Sequence, residues 1–184
     1  MASEMRLLLR EESGFTLVEL AVVTVITMVL VAGLSNLFVS GLRAGNDANA
    51  RLTSQSSVRL AFDRLEFEAR CASKAALVSG GSGVTLTLPG APACAHASGT
   101  YTWCVTSGAL IRYSGSSACS GTSQTFVRSV TTATPFSCVT AATQYPRLQV
   151  SLAVNPTPRR SDQFSATDMI AMRNAPDLGA TDCS

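Results

Sequence analysis

Hydrophobic side chains fill the chain from Phe15 to Val39 almost without interruption. The polar residues within this stretch are Thr16, Glu19, Thr24, Thr27, Ser35 and Asn36. A helix needs about 20 predominantly apolar residues to cross the hydrocarbon core of a bilayer, so residues 15–39 are long enough. The stretch is too long for the apolar core of a secretory signal, and no clear A-x-A cleavage site follows it. We therefore predict a transmembrane helix over residues 15–39; a simple uncleaved anchor also fits this pattern.

Beyond the membrane segment, apolar residues recur at spacings of three and four, as in an amphipathic helix. This stripe consists of Val58, Ala61, Phe62, Leu65, Ala69, Ala72 and Ala76. Residues of opposite charge four positions apart are predicted to face away from it, as the pairs Arg59 with Asp63, Arg64 with Glu68 and Glu66 with Arg70. No proline interrupts this region. We predict one helix from Phe15 to about Leu77, with flexible points at Gly33, Gly41 and Gly45.

The pattern then changes to alternation with a period of two, which is typical of strands. Val84, Leu86 and Leu88 alternate with threonines, and the residues from Arg147 to Val154 alternate most regularly. Ser107-Gly108 can turn the segment 101–105 into 110–113 as a hairpin, and residues 169–173 are predicted as the last strand. A helix packed on such strands is an α+β fold, with an antiparallel β head domain over residues 78–184.

The start of the apolar stretch, Gly14-Phe15-Thr16-Leu17-Val18-Glu19-Leu20, resembles the processing site of type IV prepilins and of type II secretion pseudopilins. The resemblance implies a pilin-like fold and a structural subunit, not an enzyme. It implies that a prepilin peptidase removes residues 1–14 as a leader, cutting between Gly14 and Phe15 and methylating the new N-terminus of Phe15. Glu19 would then pair with the Phe15 amine of an adjacent subunit during fibre assembly, since a carboxylate in a membrane segment is costly unless paired.

Arg6 and Arg10 favour a cytoplasmic position for the leader, so the head domain is expected on the extracytoplasmic side. The subunit would first be a single-pass protein of the cytoplasmic membrane. It would later enter a fibre at the cell surface or in the periplasm. The system remains open among a type IV pilus, a type II secretion pseudopilus and a competence pilus.

A weaker resemblance points to J-type pseudopilins and PilW-type minor pilins. It rests on residues 101–105, 108–112, 130–136 and 169–174, with residues 64–76 similar in kind. Major subunits usually have a proline in the membrane half of the helix, and this chain has none there. The resemblance and this difference together favour a minor subunit in a tip or initiation complex, although six cysteines and a small head are unusual for that group.

The six cysteines are Cys71, Cys94, Cys104, Cys119, Cys138 and Cys183. An even number of cysteines beyond a membrane anchor indicates disulfides in an oxidising compartment, and six cysteines allow fifteen pairings. From the expected hairpin we predict Cys94 with Cys119, Cys104 with Cys138, and Cys71 with Cys183. No two cysteines form a CxxC and only His96 could join them, so no metal or cofactor is expected.

Two other functions have little support in the sequence. There is no G-x-S-x-G, P-loop or H-E-x-x-H motif, so a membrane-anchored extracytoplasmic enzyme is disfavoured and no catalytic residue is proposed. A net charge of +2 and a pI near 8.3 are too mild to indicate nucleic-acid binding by themselves. A DNA-uptake or adhesion role at the fibre tip is the alternative. For DNA, a basic patch beside Trp103 or Tyr101, as in single-strand binders, could be built from Arg112, Arg128, Arg147, Arg159 and Arg160, although scattered solubilising arginines explain the same residues.

Overall fold

The computed structural model describes residues 14–92, 94, 98–115, 118–139, 146–157 and 163–174. Helix α1 spans Leu17–Cys71 and is followed by eight strands. Their bounds are β1 Lys74–Val78, β2 Gly83–Leu88, β3 Gly99–Thr106, β4 Ala109–Ser114, β5 Thr122–Arg128, β6 Phe136–Val139, β7 Arg147–Val154 and β8 Phe164–Ala171. The chain forms two compact units, Met1–Asn46 and Asp47–Ser184, and each is described by itself below.

The predicted end of the helix at Leu77 is wrong, because α1 ends at Cys71 and Lys74–Val78 form strand β1. Strand β1 pairs antiparallel with β2, with Ala75 opposite Leu86 and Leu77 opposite Val84. The alanines at positions 72, 75 and 76 keep the helical spacing of three and four, so the local pattern alone favours a helix. Pairing with β2 therefore decides the local structure here, since tertiary context overrides a weak helix propensity.

The strands form two antiparallel sheets, one in the order β1-β2-β3-β4-β5 and one in the order β6-β7-β8. The predicted strands at β2 and β7 and the predicted β3–β4 hairpin are confirmed. Thr106 lies opposite Ala109, and Ser107 and Gly108 both have positive φ (51° and 70°), as in a type I′ turn. The last strand, β8, begins five residues earlier than predicted and ends two residues earlier. Strand β5 and the division into two sheets were not predicted.

One hydrophobic core lies between the second part of α1 and both sheets. The helix contributes a face that includes Val58, Ala61, Leu65 and Ala69. These residues belong to the same cluster as Leu86 and Trp103 of the five-stranded sheet and as Leu148, Leu152 and Ile170 of the three-stranded sheet. Burial of such apolar area is the main stabilising contribution to a fold of this kind. The predicted α+β, pilin-like packing of a long helix on antiparallel strands is confirmed.

The core contains a carboxylate that the predicted ion pair with Arg64 assigns to the surface. The prediction that Glu68 faces away from the core is wrong: the residue is 0% exposed. Its Oε2 accepts a hydrogen bond from Nε1 of Trp103 at 2.9 Å, and its Oε1 contacts Nη2 of Arg112 and Nε of Arg64, each at 2.8 Å. The Arg112 guanidinium also stacks on the Tyr101 ring, 4.0 Å from its centroid. The Glu68 network therefore ties α1 to β3 and β4 by charge-assisted bonds.

Of the other two predicted ion pairs of the helix, the structure contains one. Glu66 and Arg70 form the expected pair at the helix surface. Within the part of the chain that the structure describes, Arg59 and Asp63 make no ion pair with each other. Pairs of this kind contribute little when they are exposed to water, so this difference has no consequence for the fold.

The disulfide pairing is different from the predicted one. Cys71 is bonded to Cys94, with Cα atoms 5.5 Å apart, and Cys104 is bonded to Cys119, with Cα atoms 5.9 Å apart. These bonds exclude all three predicted pairs, namely Cys94 with Cys119, Cys104 with Cys138 and Cys71 with Cys183. Cys138 is also disulfide-bonded, and Cys183 lies outside the described residues.

Strand pairing after the helix explains the first of these bonds. The backbone N–H of Ser73 donates to the carbonyl of Thr87, which holds the end of α1 beside the end of β2. The N–H of Cys94 donates to the carbonyl of Gly90, so the segment after β2 turns back toward the same place. Cys71 and Cys94 are thereby brought together. The sequence prediction extended the helix past this point and could not place Cys71 there.

Peptide mapping without reduction is expected to recover the Cys71–Cys94 and Cys104–Cys119 linkages. The double variant Cys71→Ala with Cys94→Ala should lower the free energy of unfolding by about 2–4 kcal/mol, because the bridge restricts the unfolded chain over 23 residues. Urea denaturation of the oxidised variant and the oxidised parent measures this difference. The reduced forms of both proteins should unfold at more similar urea concentrations. A peptide that links Cys94 to Cys119 would contradict the pairing.

Candidate assembly site at the start of the helix

The helix start has its own N-terminal cap. Thr16 precedes the first helical residue, and its Oγ1 accepts a hydrogen bond from the backbone N–H of Glu19 at 3.3 Å. The carbonyl of Thr16 accepts the N–H of Leu20 at 3.2 Å. The sequence Thr16-Leu17-Val18-Glu19 has the T-x-x-E pattern of a capping box. All of these groups lie after Phe15, so hydrolysis of the Gly14–Phe15 bond would leave the cap intact.

Gly14 has no structural reason of its own to be glycine. A Cβ built on it meets no atom within 4 Å, and its φ lies outside the left-handed region that favours glycine. Phe15 is 76% exposed. A larger side chain at position 14 would therefore disturb nothing in the described chain. If a glycine is needed at this position, the reason must come from a molecule that binds this segment.

Glu19 lies in the first turn of α1 with its side chain exposed, and no described residue offers it a cationic partner. A carboxylate in the first turn is favoured by the helix dipole, whose positive end is there. That effect is small compared with the cost of an unpaired charge in an apolar environment. The carboxylate is thus available to a cation on another molecule.

Apolar side chains surround the helix over the whole membrane-length segment. α1 is long and apolar enough to cross a membrane, and none of its most apolar window is buried against described residues. The hydroxyls of Thr24, Thr27 and Ser35 donate to the carbonyls of Ala21, Val23 and Val31, at 2.7–2.8 Å. Hydroxyls bonded in this way can enter lipid at little cost, because each donor already has its partner.

The predicted site residues are therefore placed in two groups. Gly14, Phe15 and Glu19 lie together at the exposed start of α1. The described cysteines lie in the second unit, where the Cys71–Cys94 and Cys104–Cys119 bonds brace its strands and loops. His96 and the predicted leader residues before Gly14 are outside the described residues.

Of the described residues proposed for a DNA-binding patch, Trp103 and Arg112 are not available on the surface. Trp103 is fully buried and Arg112 is only 12% exposed, bound to Glu68 and stacked on Tyr101. A stacking surface for bases needs an accessible ring, which Trp103 does not provide. Arg128 is exposed, Arg147 contacts Met169, and Arg159 and Arg160 lie outside the described residues.

Sequence reasoning also missed the role of Glu68, although a signal was present. Glu68 follows Leu65 by three residues and precedes Ala72 by four, so it lies inside the apolar stripe of the helix. A charged residue on a buried face predicts a buried partner. Arg112 and Trp103 supply that partner from strands 44 and 35 residues away in the chain.

Comparison with known proteins adds one match. Residues 9–35 match the family model for the prokaryotic N-terminal methylation motif, which is the type IV prepilin-like signal. No curated protein and no solved structure matches the chain. The family that carries the motif is structural and not enzymatic, and the motif implies processing by a prepilin peptidase and pilin assembly. The chain thus carries the signal of a type IV pilin-like substrate of that peptidase, consistent with the pilin and pseudopilin family.

Proposed function

We propose that this protein is a minor pilin or pseudopilin, a structural subunit of a type IV pilus or a type II secretion pseudopilus. The observation that carries the proposal is the carboxylate of Glu19. It is exposed and without a cationic partner among the described residues, four positions after Phe15 and at the start of an apolar helix inside the matched motif. Such a charge is costly in a membrane and becomes favourable once a cation pairs with it.

The assembly step follows from the chemistry of the helix start. Hydrolysis between Gly14 and Phe15 creates an ammonium group on Phe15, next to the positive end of the α1 dipole. The partner that we propose for this ammonium is the Glu19 carboxylate of an adjacent subunit. Pairing the two charges lowers the desolvation cost that each one bears alone. The exposed apolar surface of residues 17–42 then packs against other helices in the fibre.

The topology and the position in the fibre are part of the proposal. The arginines of the leader favour a cytoplasmic N-terminus, which places the disulfide-braced second unit outside the cytoplasm. The absence of proline between Phe15 and Val39 supports a minor subunit in a tip or initiation complex. The partners would be the prepilin peptidase and the other pilin or pseudopilin subunits.

Intact mass spectrometry of the protein purified from its native membrane tests the processing. The expected mass corresponds to a chain that begins at Phe15 and carries one added methyl group. Reduction should add six protons, from three disulfides. The variant Gly14→Ala should accumulate as the uncleaved chain, while Gly33→Ala, at an equally open glycine of the membrane segment, should be cleaved normally. A native chain that still begins near Met1, or one cut beyond Val39, would contradict the proposal.

A further inference from the structure

Asn36 is a polar side chain inside the apolar segment that finds no hydrogen-bond partner among the described residues. Its amide is exposed and makes no hydrogen bond to any described residue. The neighbouring Ser35 differs, since its hydroxyl donates to the carbonyl of Val31 at 2.8 Å. An asparagine amide has two donors and one acceptor oxygen, all of which need partners when water is absent.

Asn36 stays within the hydrocarbon region for either reasonable placement of the helix. No charged residue occurs between Glu19 and Arg43, so the uncharged run is Leu20–Leu42, with Val31 at its middle. Centring the bilayer on Val31 puts Asn36 roughly 7–8 Å from the midplane, at 1.5 Å per residue. Centring it on the middle of residues 15–39 gives roughly 13–14 Å. Both distances are within the half-thickness of about 15 Å.

Asn36 continues a regular seam along the helix. The seam consists of Val18, Val22, Val25, Val29, Ala32, Asn36 and Val39, at alternating spacings of four and three. This is the heptad spacing with which two parallel helices pack side by side at a shallow crossing angle. Valine and alanine lose little side-chain freedom on packing, whereas the remaining faces carry leucine, isoleucine and methionine. The described valines of the seam are all exposed.

We propose that the seam is a dimer interface, in which Asn36 hydrogen-bonds to Asn36 of a second copy of this chain in the membrane. Two copies that insert by the same route are parallel, so their Asn36 residues lie at the same depth. The amide is both donor and acceptor, so each of the two can satisfy the other. A single asparagine at a seam position also fixes the register of a parallel helix pair. The proposal requires the membrane segment but not cleavage at Gly14, so it goes beyond the proposed function.

Energy transfer between two labelled populations of the full chain tests the dimer. The chain carries a donor or acceptor fluorophore on an appended C-terminal tag and is reconstituted in phosphatidylethanolamine–phosphatidylglycerol vesicles over a range of protein-to-lipid ratios. Asn36→Leu should raise the apparent Kd in the bilayer by roughly three- to thirtyfold. Asn36→Gln should recover most of the affinity. Ser35→Leu, the matched control one position away, should leave the Kd unchanged.

Cysteine cross-linking in native membranes identifies the face of the helix that lies in the dimer interface. Among the described residues no cysteine is free, so an introduced cysteine is the reactive one. Val25→Cys and Val29→Cys should form disulfide-linked dimers, and Thr27→Cys, on the opposite side of the helix, should not. Equal effects of Asn36→Leu and Ser35→Leu, or no effect of either, would overturn the proposal. The proposal would also be overturned if Asn36→Leu weakened association with other prepilin-like subunits but not with a second copy of this chain.

Discussion

Replacing Glu68 with alanine is expected to lower the free energy of unfolding of the second unit by about 3–5 kcal/mol. The substitution removes the carboxylate that pairs with Arg112 and accepts the indole N–H of Trp103. Arg112 would remain mostly buried with its charge uncompensated, which is the main cost. The stability of a domain is itself only about 5–15 kcal/mol, so a large fraction is at stake. Urea denaturation of the oxidised protein, monitored by Trp103 fluorescence, measures the change.

Two further variants separate the buried network from ordinary surface charge. Glu66→Ala breaks the exposed pair with Arg70 on the same helix and should cost no more than about 0.5 kcal/mol. Glu68→Met combined with Arg112→Met removes both buried charges and should restore most of the stability, because an apolar replacement of a whole buried pair is often neutral. If Glu68→Ala were as mild as Glu66→Ala, the network would not hold the helix to the sheet.

The regular parts of the fold follow from local pattern. The β3–β4 hairpin is specified by two turn residues that both accept positive φ, between segments with a period of two. Strand β7 is recognisable because Leu148, Val150, Leu152 and Val154 are all buried on one face. The apolar stripe from Val58 to Ala69 likewise predicts the helix face that meets the sheets. In each case the information lies within one short stretch of consecutive residues.

The remaining features depend on residues that are distant in the chain. The end of α1 is decided by the pairing of β1 with β2, and no glycine or proline marks it between Cys71 and Lys74. Because the predicted helix continues past Cys71, it separates this residue from Cys94, and the predicted disulfide pairs are wrong. A local pair with Arg64 accounts for the charge of Glu68 and so predicts a surface position, whereas its other partners are on β3 and β4. Local reasoning is weakest where long-range contacts compete with a plausible short-range one.

The candidate assembly site could be predicted because it is linear. Gly14, Phe15 and Glu19 fall within six consecutive residues, and their chemistry does not require a folded pocket. The structure adds that Thr16 caps the helix and that the surroundings of Gly14 are open. These two facts indicate that the local sequence serves an external partner as well as the helix. Asn36 is a different case, since its spacing with the valines is visible in the sequence but its lack of a partner is visible only in the structure.

Glu19→Ala is expected to reduce incorporation of the subunit into fibres at least about tenfold, while membrane insertion and cleavage continue. The Phe15 ammonium of an adjacent subunit would stay unpaired in apolar surroundings, at a cost of roughly 3–5 kcal/mol, and 1.4 kcal/mol already corresponds to a factor of ten. Alanine removes a charge from the apolar segment, so insertion is not weakened. The cap is also retained, because Thr16 accepts its hydrogen bond from the backbone N–H of residue 19.

Quantitative immunoblotting measures this effect as the amount of the subunit in sheared fibres relative to the amount in the membrane fraction. Thr24→Ala is the matched control: its hydroxyl is bonded to the carbonyl of Ala21, so its loss should leave incorporation unchanged. Glu19→Gln distinguishes charge from hydrogen bonding, since an amide can accept a bond from the ammonium but cannot neutralise it. If the charge pair sets the register, Glu19→Gln should fail as Glu19→Ala does. Normal incorporation of Glu19→Ala would mean that the exposed carboxylate has no role in assembly, and that packing of the apolar helix surface alone holds the subunit in place.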